Sequence, residues 1–341
     1  MQLAASRLAL EKIALGSYPT PVERLASLST DRTTLWVKRD DRTSSVYGGN
    51  KVRKLEHLLA EAKRRGKSRL LTIGAAGSHH VLATSVFGRA QGLEVAAVVV
   101  PQRYTEHVVE NMRADLAAGA TLRPTWGYAA VPFVTAFAWT RATYVVPVGG
   151  SNVTGSMGYV EAAFELAQQV RAGELPEPDV AIVTLGSGGT VAGLAAGFVA
   201  AGLKTKVVAV VVAGPSFFTI GTARWLAARC ARRVGADATA ARARIVPTTA
   251  YLGDGYGEPS AQGEAATARA REAAELELDP TYTAKCFAAA LDEVARETHQ
   301  HVLYWHTLSS APMAQLLETA PSEAELPVEL SRLLRSRSAP V

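Results

Sequence analysis

Cysteine is nearly absent: Cys230 and Cys286 are the only two in 341 residues, and neither belongs to a C-x-x-C pair. Reduced thiols in a cytoplasmic protein are the expectation. Long apolar runs are lacking as well. Residues 95–100 and 207–213 are too short to span a bilayer and rich in β-branched side chains, so they read as buried strands and no membrane partner is expected. The N-terminal MQLAASRLALEKIALG is broken by Arg7, Glu11 and Lys12 and lacks the uninterrupted apolar stretch of a secretory signal. No aromatic-basic module accompanies the net charge of +5, whose basic residues are spread along helical stretches. That describes a solvated surface without a nucleic-acid partner. Solenoid repeats are missing, and His299, His301 and His306 form no HExxH pattern, so no metal is expected. What is abundant is apolar residue, 48% of the chain, enough for a large core in two domains or one large α/β unit.

Short apolar segments alternate with amphipathic ones. Strands are predicted at residues 69–73, 94–100, 143–146, 179–185, 206–212 and 301–305, and helices at 51–65, 80–91, 104–118, 153–170, 190–201 and 283–297. The alternation implies parallel sheets covered on both faces. Prolines and carboxylates at residues 174–178 predict a domain junction. Residues 223–244 read as helix and loop, and 332–341 as a frayed end.

Three glycine-bearing turns precede helices. In Tyr47-Gly48-Gly49-Asn50-Lys51-Val52-Arg53-Lys54, Lys51 and Lys54 share one face near a helix N-terminus. Two cations at the positive end of a helix are unfavourable unless an anion binds there, the plain alternative being a surface helix with its lysines in water. Residues 180–193 give strand, Gly186-Ser187-Gly188-Gly189-Thr190, then helix, a geometry that aims unpaired backbone amides at an anion. Val191 stands where a dinucleotide fingerprint needs glycine and the P-loop lysine is missing, so a monophosphate cup fits better, with a plain tight turn as the alternative. The third turn, Gly74-Ala75-Ala76-Gly77-Ser78-His79-His80, offers amides and the Ser78 hydroxyl to a substrate carboxylate.

In order along the chain stand Lys38-Arg39-Asp40-Asp41, Gly48-Gly49-Asn50-Lys51-Val52-Arg53-Lys54-Leu55, Gly149-Gly150-Ser151-Asn152, Gly186-Ser187-Gly188-Gly189-Thr190, Gly255-Tyr256-Gly257 and Asp279-Pro280-Thr281-Tyr282-Thr283-Ala284-Lys285. Together they resemble the D-cysteine desulfhydrase and 1-aminocyclopropane-1-carboxylate deaminase family of pyridoxal-phosphate enzymes, from about Tyr18 to Thr307. The resemblance implies the tryptophan-synthase-β-like α/β fold (fold type II): two open, twisted, mainly parallel sheets flanked by helices. The smaller domain is expected at 48–165 and the larger at 1–47 plus 166–341. It implies a homodimer, and a Schiff base from Lys51 to the cofactor aldehyde. Asn50, Lys54, His79, Gly186, Ser187, Gly188, Gly189 and Thr190 would bind the cofactor, with Thr283 on its pyridine nitrogen. Ser78, His79 and His80 would meet a small amino-acid substrate, and Tyr256 and Tyr282 would face it from the other domain. Two departures stand out: His79 replaces the usual asparagine, and Leu308-Ser309 replaces Gly-Gly after His306-Thr307.

The implied reaction is loss of the Cα proton to Lys51, expulsion of a leaving group from Cβ, and hydrolysis to keto acid and ammonia. The deaminase branch carries Glu where this chain has Thr283. A neutral hydroxyl is a poorer partner for a protonated ring nitrogen, which favours β-elimination from D-cysteine or a similar substrate over cyclopropane opening. The cyclopropane deaminase is the runner-up, and a racemase, a β-replacement enzyme and a catalytically silent ligand-binding relative are the further alternatives.

Overall fold

Runs of Val, Ile, Leu and Ala become parallel strands, and the amphipathic stretches between them become the helices that cover those strands. The computed structural model describes residues 11–335. Its strands are β1 (Val22–Arg24), β2 (Thr34–Arg39), β3 (Arg69–Ala75), β4 (Glu94–Val100), β5 (Gln102–Arg103), β6 (Thr121–Pro124), β7 (Thr143–Val145), β8 (Val180–Leu185), β9 (Lys206–Val211), β10 (Ile245–Thr248), β11 (His301–His306) and β12 (Leu334–Arg335). Among the described residues the chain divides into two compact units, one of Gly16–Lys54 and Ser151–Ser310, the other of Glu11–Leu15, Leu55–Gly150 and the residues from Ala311 onward.

The first unit holds a six-stranded sheet in the order β1-β2-β11-β8-β9-β10, parallel except for the antiparallel β1–β2 pair. Successive side chains of a strand point to opposite faces. In β8, Ala181, Val183 and Leu185 join a core with the helices Val153–Arg171, Gly189–Ala201 and Ser216–Arg233. Val180 and Ile182 join a second core with the helices Ala261–Ala274 and Thr283–Arg296. Burial on both faces explains why these strands read as unbroken apolar runs rather than alternating ones.

The second unit holds a four-stranded parallel sheet, β6-β4-β3-β7. Val81, Val108 and Met112, from the helices His79–Ala90 and Glu106–Ala117, pack with Ala97 and Val99 of β4. Val131, Val134 and Ala138, from the helix Val131–Ala138, pack with Ala96 and Val98 on the opposite face.

The α/β class, the two mainly parallel sheets and every predicted strand and helix are present. The partition differs from the expected one: residues 48–54 and 151–165 group with the first unit and the residues from 311 onward with the second. Residues 174–178 join helix Val153–Arg171 to β8 inside the first unit, so their prolines mark a turn rather than a domain junction. At the C-terminal end, Leu334–Arg335 pair with Gln102–Arg103, while 336–341 lie outside the described residues, as does the Arg7 break near the N-terminus.

Candidate active site

In the first unit the helix Asn50–Arg64 begins against the end of β11. Gly49 has φ +87°, and a Cβ there would stand 2.6 Å from the Thr307 carbonyl oxygen, so the turn excludes side chains on two grounds. The Gly49 N–H donates to the Asp40 carbonyl, and the Gly48 N–H to Ser309 Oγ at 2.8 Å. Ser309, one of the departures from the family pattern, thus fastens the turn that precedes Lys51. Two residues on, Arg53 is clamped by Asp40. That fully buried carboxylate accepts from Arg53 Nε and Nη2, Thr20 Oγ1, Tyr159 OH and Trp305 Nε1. Glu165 accepts from Arg53 and Lys38 as well. With every charge in this knot paired, the first turn of the helix is rigidly placed.

That turn carries the two lysines. Lys51 Nζ donates to Asn50 Oδ1 at 2.6 Å, and Asn50 Nδ2 donates to Thr190 Oγ1 at 3.1 Å. Burial pulls the Lys51 ammonium down to about 8, against the opposing pull of the Asp279 charge. Lys54 is pushed well below the usual lysine range, first by burial and then by the Lys51 charge. Lys54 Nζ lies 3.3 Å from Ser151 Oγ, which lies 2.7 Å from Ser187 Oγ and accepts from the Gly189 N–H at 3.1 Å. Gly188 has φ +91°, and no side chain caps the helix Gly189–Ala201 that follows it. A Cβ on Gly189 would come within 2.6 Å of Ser151 Oγ and 3.1 Å of Lys54 Nζ. Two lysines, three hydroxyls and a helix start headed by glycine therefore surround a space that glycine keeps open.

Also in the first unit, Tyr256 and Tyr282 share a hydrogen bond between their hydroxyls, with ring centroids 5.8 Å apart and planes at 72°. Lys285, fully buried, donates to the carbonyls of Leu252 at 2.7 Å and Gly255 at 3.0 Å and so fixes the loop that carries Tyr256. Thr283 is buried beside Asp279, its Oγ1 2.7 Å from Asp279 Oδ2. Sequence reading missed Ser151, Lys285 and Asp279 as working residues, although each lies in a run it had singled out.

The second unit carries Ser78, His79 and His80. Ser78 caps the helix His79–Ala90, its Oγ accepting from the N–H groups of His80 and Val81 at 3.3 and 3.5 Å. His80 is buried, with Nε2 2.8 Å from Thr72 Oγ1, and Thr72 in turn donates to the Val146 carbonyl. From the sequence this ring is expected at the substrate; here one of its nitrogens is engaged by Thr72. His79 Nε2 lies 3.0 Å from His107 Nε2, and Asn111 Nδ2 reaches both the Gly77 carbonyl and His107 Nε2. The i,i+4 spacing of His107 and Asn111 was the available signal for this group. Among the described residues no third metal-ligating side chain joins the two histidines.

A family model described as pyridoxal-phosphate dependent enzyme matches residues 13–307. The chain belongs to this family. As a pyridoxal-phosphate enzyme it is 35% identical to nocardicin C-9' epimerase of Nocardia uniformis subsp. tsuyamanensis, over 92% of this chain and 98% of the relative. It is 31% identical to D-cysteine desulfhydrase of Klebsiella pneumoniae strain 342, over 87% and 93%. A solved structure described as an ACC deaminase homologue superposes with a TM-score of 0.77 at 25% identity, covering 92% of this chain and 98% of that one. The chain is thus a pyridoxal-phosphate-dependent enzyme whose relatives include an epimerase and a desulfhydrase and whose structural neighbours include an ACC deaminase homologue. Its first unit fits the cofactor's phosphate on structural grounds, since the space beside Gly189 is bounded by the buried Lys54 Nζ, the Ser151 and Ser187 hydroxyls and the backbone amides of a helix start, a donor set suited to an anion.

Proposed function

We propose that the enzyme eliminates a β-substituent from D-cysteine or a similar small amino acid, releasing keto acid and ammonia. In this reading Lys51 binds the cofactor covalently, Lys54, Ser151, Ser187 and the amides of Gly188 to Thr190 take its phosphate, and Thr283 meets its ring nitrogen. Asn50 and His79 complete the cofactor contacts, Ser78 holds the substrate carboxylate, and Tyr256 and Tyr282 face the substrate. When bound, pyridoxal phosphate withdraws electrons from the substrate's Cα, which leaves the protein to bind, orient and move protons.

The observation that carries the proposal is the place of Lys51 in the first turn of its helix, its Nζ on Asn50 Oδ1 at 2.6 Å, where burial lowers the amine to about 8, toward the range in which a general base works. Released from the cofactor, its Nζ takes the Cα proton, and the hydrogen-bonded hydroxyls of Tyr256 and Tyr282 supply one to the departing sulfur. For D-cysteine, addition of water then gives pyruvate, ammonia and hydrogen sulfide. The test is a panel of D- and L-amino acids together with 1-aminocyclopropane-1-carboxylate, scored for keto acid and ammonia. Turnover of D-cysteine well above the cyclopropane substrate supports the reading, and preference for the cyclopropane substrate overturns it.

A second reading, epimerisation at Cα, draws on the 35% identical epimerase. Solvent deuterium entering Cα without keto acid release would select it.

We also propose that the enzyme works in the cytoplasm as a homodimer. Both cysteines are unpaired and buried, in keeping with a reducing compartment. Trp126, Tyr128, Phe133, Phe137 and Trp139 are exposed within residues 124–140, a stretch with no charged side chain. Together they present roughly 700–800 Å² of aromatic surface, about what one partner contributes to a standard interface. Phe133→Asp with Phe137→Asp should yield monomer by light scattering.

A further inference from the structure

The hydrogen bonds around Thr283 fix what its hydroxyl has left to offer. Asp279 is held at the head of the helix Thr283–Arg296. Its Oδ1 accepts the Tyr282 N–H at 2.7 Å and its Oδ2 the Thr283 N–H at 3.1 Å. Thr283 Oγ1 lies 2.7 Å from the same Oδ2 and accepts the Asp279 N–H at 2.7 Å. A carboxylate only accepts, so the hydrogen between Oγ1 and Oδ2 belongs to threonine. A hydroxyl has one hydrogen and two lone pairs. The hydrogen is spent on Asp279 and one lone pair on the Asp279 N–H, which leaves a single lone pair to face anything bound beside Thr283.

We propose that Asp279 is a positioning residue that acts through Thr283 to present an acceptor, not a donor, to the cofactor's ring nitrogen, so that the nitrogen is held protonated. This rests on the placement of Thr283 at the ring nitrogen proposed above. An unprotonated pyridine nitrogen only accepts and would confront a lone pair there. A protonated one donates to Thr283 Oγ1, whose other bond leads to a carboxylate, so the negative charge is one hydroxyl removed. From the sequence, Thr283 is a neutral hydroxyl and a poorer partner for a charged ring; Asp279 supplies the missing charge from four residues upstream. Of the other groups whose charge interacts with Asp279, Lys51 and Lys285 are cationic when protonated, His306 is held neutral by burial, its value lowered to about 4, and Cys286 and Tyr304 are held neutral by burial that raises both. None of these is a second carboxylate.

The experiment loads the enzyme with cofactor labelled with 15N in the ring and reads that resonance in the resting holoenzyme, without turnover. The wild-type signal should fall in the upfield region of a pyridinium. Asp279→Asn should move it downfield to the neutral-pyridine region. The asparagine can keep the Tyr282 N–H on its oxygen while its amide nitrogen, at the Oδ2 position, donates to Thr283 Oγ1 and turns the threonine hydrogen outward, at the cost of the acceptor for the Thr283 N–H. Thr283→Ser should keep the wild-type signal, and Thr283→Ala should change it. A neutral wild-type ring nitrogen that still responds to Thr283→Ala would overturn the role of Asp279 while leaving Thr283 in place. A signal indifferent to Thr283→Ala would overturn the placement itself. A pyridinium signal unchanged in Asp279→Asn would also sink the proposal, and the wild-type spectrum decides even if that variant does not fold.

Discussion

Two turns in this chain share one sentence structure, strand then glycine-rich turn then helix, yet they do opposite things with their helix starts. At Gly186–Thr190 the N-cap is Gly188, which has no side chain to cap with, Ser151 Oγ takes only the Gly189 N–H, and the glycines clear room beside Lys54 Nζ and a pair of serine hydroxyls. At Gly74–His80 the helix is capped by Ser78, and the Gly77 N–H is already donated to Gln102 Oε1 at 2.9 Å. The glycines there serve packing: a Cβ on Gly77 would press on Val108 Cα at 2.7 Å, and one on Gly74 on Val81 and Ser78. An anion site is therefore made less by the glycine pattern than by which donors remain uncommitted and which cations stand behind them.

The largest effect should come from the cation itself. Lys51→Ala should abolish borohydride-reducible cofactor and lower turnover by at least roughly 10³-fold, with an unchanged circular dichroism spectrum; a reducible cofactor persisting in that variant would assign the attachment elsewhere. The two turns separate next. Gly189→Val should weaken pyridoxal-phosphate binding by about 10-fold or more, as overpacking costs of about 1–3 kcal/mol imply, with little change in unfolding of the apo-protein. Gly77→Ala should do the reverse, lowering stability by a similar amount while cofactor titration stays the same. If both variants lose cofactor alike, the contrast between the turns is broken.

Acidity sharpens the comparison further. The neutral amine is the form that captures the cofactor, so the capture rate of apo-protein should rise with pH and level off above about 8. The Lys51 value in the folded chain lies below its ordinary 10.5, so the unfolded chain holds the proton more tightly. Stability then rises with pH between about 8 and 10.5, and the penalty stands in full below 8. Lys51→Met, which has no proton to lose, should flatten that part of the urea-denaturation profile. Smallest of all is Ser78→Ala, expected to cost about 1 kcal/mol through the lost cap, measured by urea denaturation. Any accompanying rise in KM would report a substrate role for the hydroxyl.

Local pattern carried much of this to the surface of the sequence. The glycines around Lys51 and Gly188, the strands β3, β4, β8, β9 and β11 and the helices between them follow from periodicity and turn chemistry within short windows. What stayed hidden depends on partners far along the chain. Ser151 gains its meaning from Lys54, 97 residues earlier, and Ser309 from Gly48, 261 residues earlier. The strand Thr34–Arg39, absent from the predicted strands, mixes Lys38 and Arg39 into an apolar run, and its charges are neutralised by Glu165 and Asp41. Asp279 was quoted only as part of a motif, since nothing local says that its carboxylate will take the hydrogen of Thr283.

The pairing of β2 with β11 reaches beyond the site. Thr34 through Arg39 lie in register with His301 through His306 in the middle of the six-stranded sheet. Such a contact closes a loop of more than two hundred residues, the kind of topology that folds slowly. On the ribosome β2 must wait until residues 301–306 have been made before its central neighbour exists. At synthesis rates of about 5–20 residues per second that wait lasts on the order of 10–60 seconds. Through that interval Leu35 and Val37, fully buried in the finished protein, have no β11 to cover them. The nascent chain is thus a natural client for a holding chaperone, and a truncation that removes β11 should aggregate rather than leave a smaller folded enzyme.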